Sequence, residues 1–327
     1  TVFCIDAVTG EEIWKYSYTA DKGAKFYEGG THSTPTVDPA SGTVFVYGKQ
    51  GQLNAFDAAQ GTVKWTKNVI RELGLGRGDV GLWGLGGSPL VWREQLYLNA
   101  GSAGACLAKA TGKVIWRSRG RSGFSTPLPY QHDGRRSLVF FAGRQVAGVD
   151  ALTGRPHWSF PWSTQYDVNA AEPVLVSPGN NLFISSGYNV GGALLYVSGS
   201  GPPRAVWCSK EMINHFNSCV LIDGHLYGIH GHAGKTAGEL RCLDARNGRL
   251  KWSDRSIGLG SLSAADGRLI VISEHGTLMI GPASPAGFKP TGRIQTLGPK
   301  CWTAPVLANG LVYVRNARGD VACVDLR

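Results

Sequence analysis

Apolar and β-branched residues alternate along this chain in short runs, as in Thr43-Val-Phe-Val-Tyr47 and Leu311-Val-Tyr-Val314, and the runs end in Gly, Pro, Asn or Asp. Period-two alternation broken by turn formers predicts short strands joined by tight turns. One phrase recurs across such turns: Cys4-Ile-Asp6-Ala-Val-Thr-Gly10 leading to Trp14, Phe56-Asp57-Ala-Ala-Gln-Gly61 to Trp65, Val149-Asp150-Ala-Leu-Thr-Gly154 to Trp158, and Leu243-Asp244-Ala-Arg-Asn-Gly248 to Trp252. An Asp four residues before a Gly can accept hydrogen bonds from the turn amides, and the Gly supplies the positive φ that closes a hairpin. Each phrase therefore reads as strand, turn, strand.

With Trp116 and Trp207 added, the series Trp14, Trp65, Trp116, Trp158, Trp207 and Trp252 has spacings of 51, 51, 42, 49 and 45 residues, so the chain is an array of one repeated unit. These six are structural positions, large aromatic rings suited to filling the seam between neighbouring sheets. At Ala108 and Gly112 the Asp is missing, and around Ser198 to Pro203 the turn is rewritten. A second phrase opens each unit, a small residue and a proline before an apolar pair: Thr34-Pro35, Ser88-Pro89, Thr126-Pro127, Glu172-Pro173 and Ala304-Pro305, with Ser218-Cys219 and Ser261-Leu262 as variants. Proline removes a ladder donor, which predicts an edge strand.

Four strands per unit at this period predict an all-β fold, a β-propeller of four-stranded antiparallel blades whose first strand borders a central channel. Six complete units lie between about residues 31 and 297; residues 1–18 hold only third and fourth strands, and residues 301–327 only the first three. Joining the ends gives seven blades with a spare strand, or eight with about half a blade missing upstream of residue 1. The chain begins in mid-pattern and without Met, so the expectation is an eight-bladed single domain over residues 1–327, with seven blades as the alternative.

The phrase Leu-Asp-Ala-x-x-Gly-x-x-x-Trp resembles the repeat of the pyrroloquinoline-quinone-type (PQQ-like) β-propellers, which include quinoprotein alcohol dehydrogenases and BamB-like propellers. The resemblance covers essentially the whole chain and is specific for fold, whereas the same repeat serves enzymes, scaffolds and sensors. It implies a periplasmic or secreted protein. Its leading implication for function is a binding or interaction scaffold of the cell envelope; its alternative is a PQQ-dependent dehydrogenase oxidising an alcohol or sugar with calcium. Two features that many quinoprotein dehydrogenases carry, an adjacent Cys-Cys pair and Cys-x-x-Cys-His, are absent from this sequence.

Composition narrows the partners. Gly is 46 of 327 residues, about twice the usual share, as a turn-rich fold requires. The net charge of +10 is scattered, with only local groups such as Arg117, Arg119 and Arg121, and no recognised nucleic-acid motif accompanies it. No apolar run is long enough to span a bilayer. The expected partners are therefore a small polar molecule or an envelope protein, bound by a monomer. Gly76-Arg-Gly78-Asp-Val-Gly81 matches a dinucleotide pattern but lacks a βαβ context.

Candidate chemistry lies where the repeats diverge. Just before the edge-strand proline, Glu172 is the lone charge among small residues, and Asp167 and Asn169 precede it in the same loop. Glu172 and Asn169 could hold calcium, with Asp167 as the base of a dehydrogenase; equally, Asp167 and Asn169 could cap turns beside a solvated Glu172. Equivalent loops bring His32, Trp83, Ser122, His215 and Trp302, a set of aromatic and hydroxyl groups suited to a polar ligand. His230 and His232 form a His-x-His that, with His215, could serve zinc or copper, since alternate strand positions face one way.

Overall fold

The turns show how the repeat folds. Asp6 Oδ1 accepts from the Val8 and Thr9 amides at 2.8 and 2.7 Å, Asp57 Oδ1 from Ala59 and Gln60, and Asp150 Oδ1 from Leu152 and Thr153. Gly10, Gly61, Gly154 and Gly248 close these turns at φ of 76°, 70°, 70° and 69°, a region open to glycine at little cost. Where the Asp is missing, the Gly112 amide still reaches the Ala108 carbonyl at 2.8 Å. The computed structural model describes residues 1–21, 23, 30–176, 180–199 and 201–327; Ser200, inside the rewritten turn, lies outside the described residues.

Two compact units divide the chain, Thr1–Val168 and Asn169–Arg327. The first begins with a hairpin of β1 (Val2–Ile5) and β2 (Glu12–Tyr16). Its three four-stranded sheets follow: β3 (Thr36–Asp38), β4 (Thr43–Tyr47), β5 (Gln52–Asp57) and β6 (Val63–Asn68); β7 (Leu90–Trp92), β8 (Gln95–Leu98), β9 (Ala105–Ala108) and β10 (Val114–Arg117); β11 (Leu128–His132), β12 (Arg135–Phe141), β13 (Gln145–Asp150) and β14 (Pro156–Pro161). Between β6 and β7 the Gly-rich segment folds as two short helices, α1 (Val69–Leu73) and α2 (Arg77–Val80). The second unit holds β15 (Val174–Val176), β16 (Asn181–Ser186), β17 (Gly191–Tyr196) and β18 (Arg204–Ser209); β19 (Val220–Ile222), β20 (His225–His230), β21 (Glu239–Asp244) and β22 (Leu250–Asp254); β23 (Ser261–Ala265), β24 (Arg268–Ile272), β25 (Thr277–Pro282) and β26 (Gly292–Gln295). It ends with a three-stranded sheet of β27 (Val306–Ala308), β28 (Leu311–Arg315) and β29 (Val321–Asp325). Every sheet is an antiparallel meander, and β3, β7, β11, β15 and β27 are edge strands that start directly after or within two residues of their prolines.

The fold is an all-β propeller of seven blades, which corrects the expectation of eight. Six sheets have four strands and the C-terminal sheet is the seventh blade. Residues 1–18 contribute only the β1–β2 hairpin; without the two buried inner strands that make a blade a two-faced layer, this hairpin does not amount to a further one. The half-repeat signal was real, and counting it as a blade was the error.

The core lies between neighbouring sheets. In the first unit Phe45, Tyr47 and Leu53 pack with Leu96, Leu98 and Leu107, and Tyr97 and Cys106 with Leu138, Phe140 and Val149. In the second, Phe183 and Leu194 meet Leu226 and Leu243, Tyr227 and Cys242 meet Leu262 and Val271, and Ile270 and Ile272 meet Val312 and Val314. Five of the seams carry the same device. Trp14, Trp65, Trp116, Trp207 and Trp252 donate Nε1–H to the carbonyls of Ala58, Lys109, Ala151, Ala245 and Ser284 in the next repeat, at 2.8 to 3.0 Å. The turn glycine beneath leaves the ring room: a Cβ on Gly61, Gly112, Gly154 or Gly248 would stand 2.5 to 2.9 Å from Trp14, Trp65, Trp116 or Trp207. Trp158, whose following turn is the rewritten one, donates instead to the Tyr130 hydroxyl at 2.9 Å.

Candidate functional site

The divergent loops all lead into first strands, and each unit gathers its own set. In the first unit the loop at residues 120–126 is tied down by Asp79, whose carbonyl accepts from the Ser122 amide at 2.8 Å and whose carboxylate takes the Gly120 and Gly76 amides at 3.0 and 2.9 Å. Ser122 is buried, its Oγ accepting from the Gly101 amide at 2.8 Å. Next to it, Arg121 Nε reaches Asp167 at 3.1 Å, and Arg144 closes on the same carboxylate with Nε and Nη2, both at 3.0 Å. Asp167 sits in the left-handed region, φ 58°, so the backbone itself is bent to deliver the carboxylate into this clamp. Trp83 stands edge-on to Tyr166, the ring centroids 5.6 Å apart. Trp83, Ser122 and Asp167 thus share one loop cluster, linked by Arg121. His32 lies beside Phe124, 6.1 Å between ring centroids, and burial, helped by the Lys49 charge, pushes its imidazole down to about 4.

In the second unit Asn169 is fully buried and its Oδ1 accepts from Ser186 Oγ at 2.6 Å. Glu172 is exposed; its amide donates to Ser218 Oγ at 2.9 Å, repeating the Thr34 amide to Ser88 Oγ bond of the first unit. The amide oxygen of Asn169 is thus buried and hydrogen-bonded, whereas the Glu172 residue is exposed to solvent. His215 is stacked on His232, centroids 4.0 Å apart, with Tyr188 edge-on to both. Phe216 continues the row to Trp302 at 4.6 Å. Trp302 Nε1 donates to Glu274 at 3.2 Å, and Lys300 Nζ lies 5.4 Å from its ring. Gly187 makes the stack possible, since a Cβ there would stand 2.9 Å from His215 and 3.1 Å from His232.

The imidazole protons follow from the contacts. The Tyr188 amide donates to His232 Nδ1 at 3.1 Å, and the Ala233 amide to His215 Nδ1 at 3.3 Å. An Nδ1 that accepts must carry no proton, so each neutral ring has its N–H at Nε2. Burial and the facing ring push His215 down to about 3, and burial lowers His232. The pair therefore offers two neutral N–H donors beside aromatic faces. His230 stands apart from this stack at the end of β20, its Nδ1 buried and, among the described residues, without a hydrogen-bond partner. Among the described residues no group of three His, Cys, Asp or Glu side chains could hold a metal ion. The sequence reading missed Tyr188, Glu274, Arg121 and Arg144, whose roles arise only through contacts between separate loops.

No helix among the described residues is long and apolar enough to cross a membrane. Among solved structures, the chain resembles BamB from Moraxella catarrhalis, at 15% identity and a TM-score of 0.66 over 96% of this chain and 88% of that one. It resembles a europium-containing methanol dehydrogenase, at 13% identity and a TM-score of 0.66 over 95% and 78%. It also resembles the quinohemoprotein alcohol dehydrogenase of Comamonas testosteroni, at 14% identity and a TM-score of 0.64 over 95% and 67%. At such identities the likeness is one of fold. A comparison with the curated proteins finds no match. Residues 1–254 match the family model described as outer membrane protein assembly factor BamB, and with its repeated Asp-Ala-x-x-Gly turns and seam tryptophans the chain belongs to that PQQ-like propeller family.

Proposed function

We propose that the chain is a non-catalytic propeller of the cell envelope, periplasmic or secreted, that holds a partner through the loops entering its first strands. The observation that carries this reading is that, of the three oxygen donors the quinone alternative would use, two are already held by other side chains and the third stands in solvent. Asp167 is clamped by Arg121 and Arg144, Asn169 is bonded to Ser186 inside the protein, and Glu172 faces solvent. Calcium requires six or more convergent oxygen ligands, and these residues do not fit it or the quinone above it.

The row from Tyr188 through His232, His215 and Phe216 to Trp302 instead supplies ring faces and N–H donors, the chemistry that anchors a polypeptide side chain or a small polar molecule. The family model's description as an assembly factor favours an envelope protein. The dehydrogenase alternative, with PQQ, calcium and Asp167 as base, draws on fold likeness, which does not carry activity. The test is to incubate the purified chain with PQQ and calcium and follow reduction of an electron-accepting dye on methanol and on glucose. The expected result is no reduction above that of free quinone; saturable quinone binding with turnover overturns the reading.

A further inference from the structure

A cleft in the first unit is lined by none of the candidate residues above. It has a volume of about 240 Å³ and is lined by Tyr16 and Tyr18 on one side and by Gln52, Asn54, Lys67 and Arg71 on the other. Two polar atoms in its wall are buried and, among the described residues, have no hydrogen-bond partner: Gln52 Oε1, an acceptor, and Asn54 Nδ2, a donor. Asn54 is only 4% exposed, its Oδ1 already taken by the Thr66 hydroxyl. Gln52 Nε2 is likewise held, by Gln50 Oε1 at 3.3 Å. Burying a polar atom unpaired costs about 1–3 kcal/mol, so a donor and an acceptor left open in one cleft ask for a ligand that answers both.

The remaining lining defines that ligand. Lys67 and Arg71 bring two positive charges, Arg71 also lying 3.8 Å from the Glu72 carboxylate, and among the described residues no carboxylate lines the cleft, so the complementary group is an anion. Tyr16 and Tyr18 present rings 6.5 Å apart and tilted by 36°, an apolar surface for the C–H face of a small ring. Burial keeps the Tyr18 hydroxyl above its ordinary value and therefore protonated, and a Cβ on Gly48 would lie 3.3 Å from that hydroxyl and 2.9 Å from Gln52 Oε1, which puts both groups at one corner. Small-molecule sites of drug size begin at about 300 Å³, so this one suits a single monosaccharide unit.

We propose that this cleft binds one sugar acid, its carboxylate toward Arg71 and Lys67, a hydroxyl donating to Gln52 Oε1, another accepting from Asn54 Nδ2, and its ring against the tyrosines. The proposal is independent of the partner reading above. Its test is calorimetric titration of the full chain with D-glucuronate and, separately, with D-glucose, with circular dichroism melting as the control for folding. Glucuronate should bind saturably and glucose roughly tenfold more weakly, the effect of one charge-assisted hydrogen bond. Arg71, whose side chain is 81% exposed, can be removed without disturbing the core, and Arg71→Ala should weaken glucuronate binding by about the same factor. No saturable glucuronate binding by the folded chain, equal affinity for glucose, or an unchanged affinity in Arg71→Ala overturns the proposal.

Discussion

The seams between blades and the loops entering the first strands come from the same repeats, yet they hold together in different ways. At a seam every participant belongs to the motif: the ring of Trp14 lies over Gly61 and bonds the Ala58 carbonyl, and Trp65 and Trp116 likewise meet the turn glycine and the carbonyl three residues before it. In the loops of the second unit the participants are Tyr188, His215 and His232, brought from three segments that share no spacing. Repetition makes a long-range contact readable as a local pattern, whereas divergence leaves the contact specific to one place.

The strongest way to break the contrast is Trp65→Ala. Removing a ring packed this way should cost about 3 kcal/mol, as large aromatic deletions do, read from urea unfolding followed by circular dichroism. A loss below about 1 kcal/mol would place it in the range of an ordinary surface substitution and remove the seam as the organising contact. A more selective probe compares two glycines of like backbone. Gly154, at φ 70°, lies under Trp116, and Gly134, at φ 73°, has nothing within 4 Å of a built Cβ. Alanine at either position pays roughly 1 kcal/mol for the left-handed backbone, and at Gly154 the overlap with the ring should add about 1–3 kcal/mol. Equal losses at the two positions would show that the glycine serves the turn alone.

The smallest effect belongs to the histidines and depends on pH. His215 and His32 are held neutral by burial, at about 3 and about 4, while the unfolded chain protonates them near 6.5. A depressed folded value means that the stability they contribute is fully present above pH 6.5 and is lost as pH falls toward their folded values. Each therefore adds at most about 1.4 kcal/mol per pH unit to the slope of stability in that window. In His215→Gln the slope between pH 6 and pH 4 should be visibly shallower; an identical slope would mean that the ring is protonated in the fold.

The strands, the prolines that begin edge strands and the turns that join strands were legible because each is set by a few neighbouring residues: Pro35, Pro89 and Pro173 lack the same donor, and Asp57 and Gly61 close the same turn. The blade number was not, since a hairpin such as β1–β2 carries the repeat's most conspicuous residue, Trp14, without the inner strands that would complete a blade. The histidines show a different limit. Pairing His230 with His232 assumed strand alternation through both, but β20 ends at His230 and Gly231 turns the backbone at φ 142°. His232 is thereby released from that alternation and meets His215 instead. Asp167 was visible as a charge, while the two arginines that hold it come from separate turns and carry no signal in its neighbourhood.

Because every seam tryptophan but Trp158 is received by the turn that follows it, the fastening runs in one direction along the chain, and its effects do too. A change at Gly248 should be felt first by the indole of Trp207, some forty residues earlier. The heritable unit in such an array is then the tryptophan of one repeat with the turn of the next. A duplication or deletion that cuts between blades therefore parts one such couple, and substitutions on the two sides of a seam are expected to drift together.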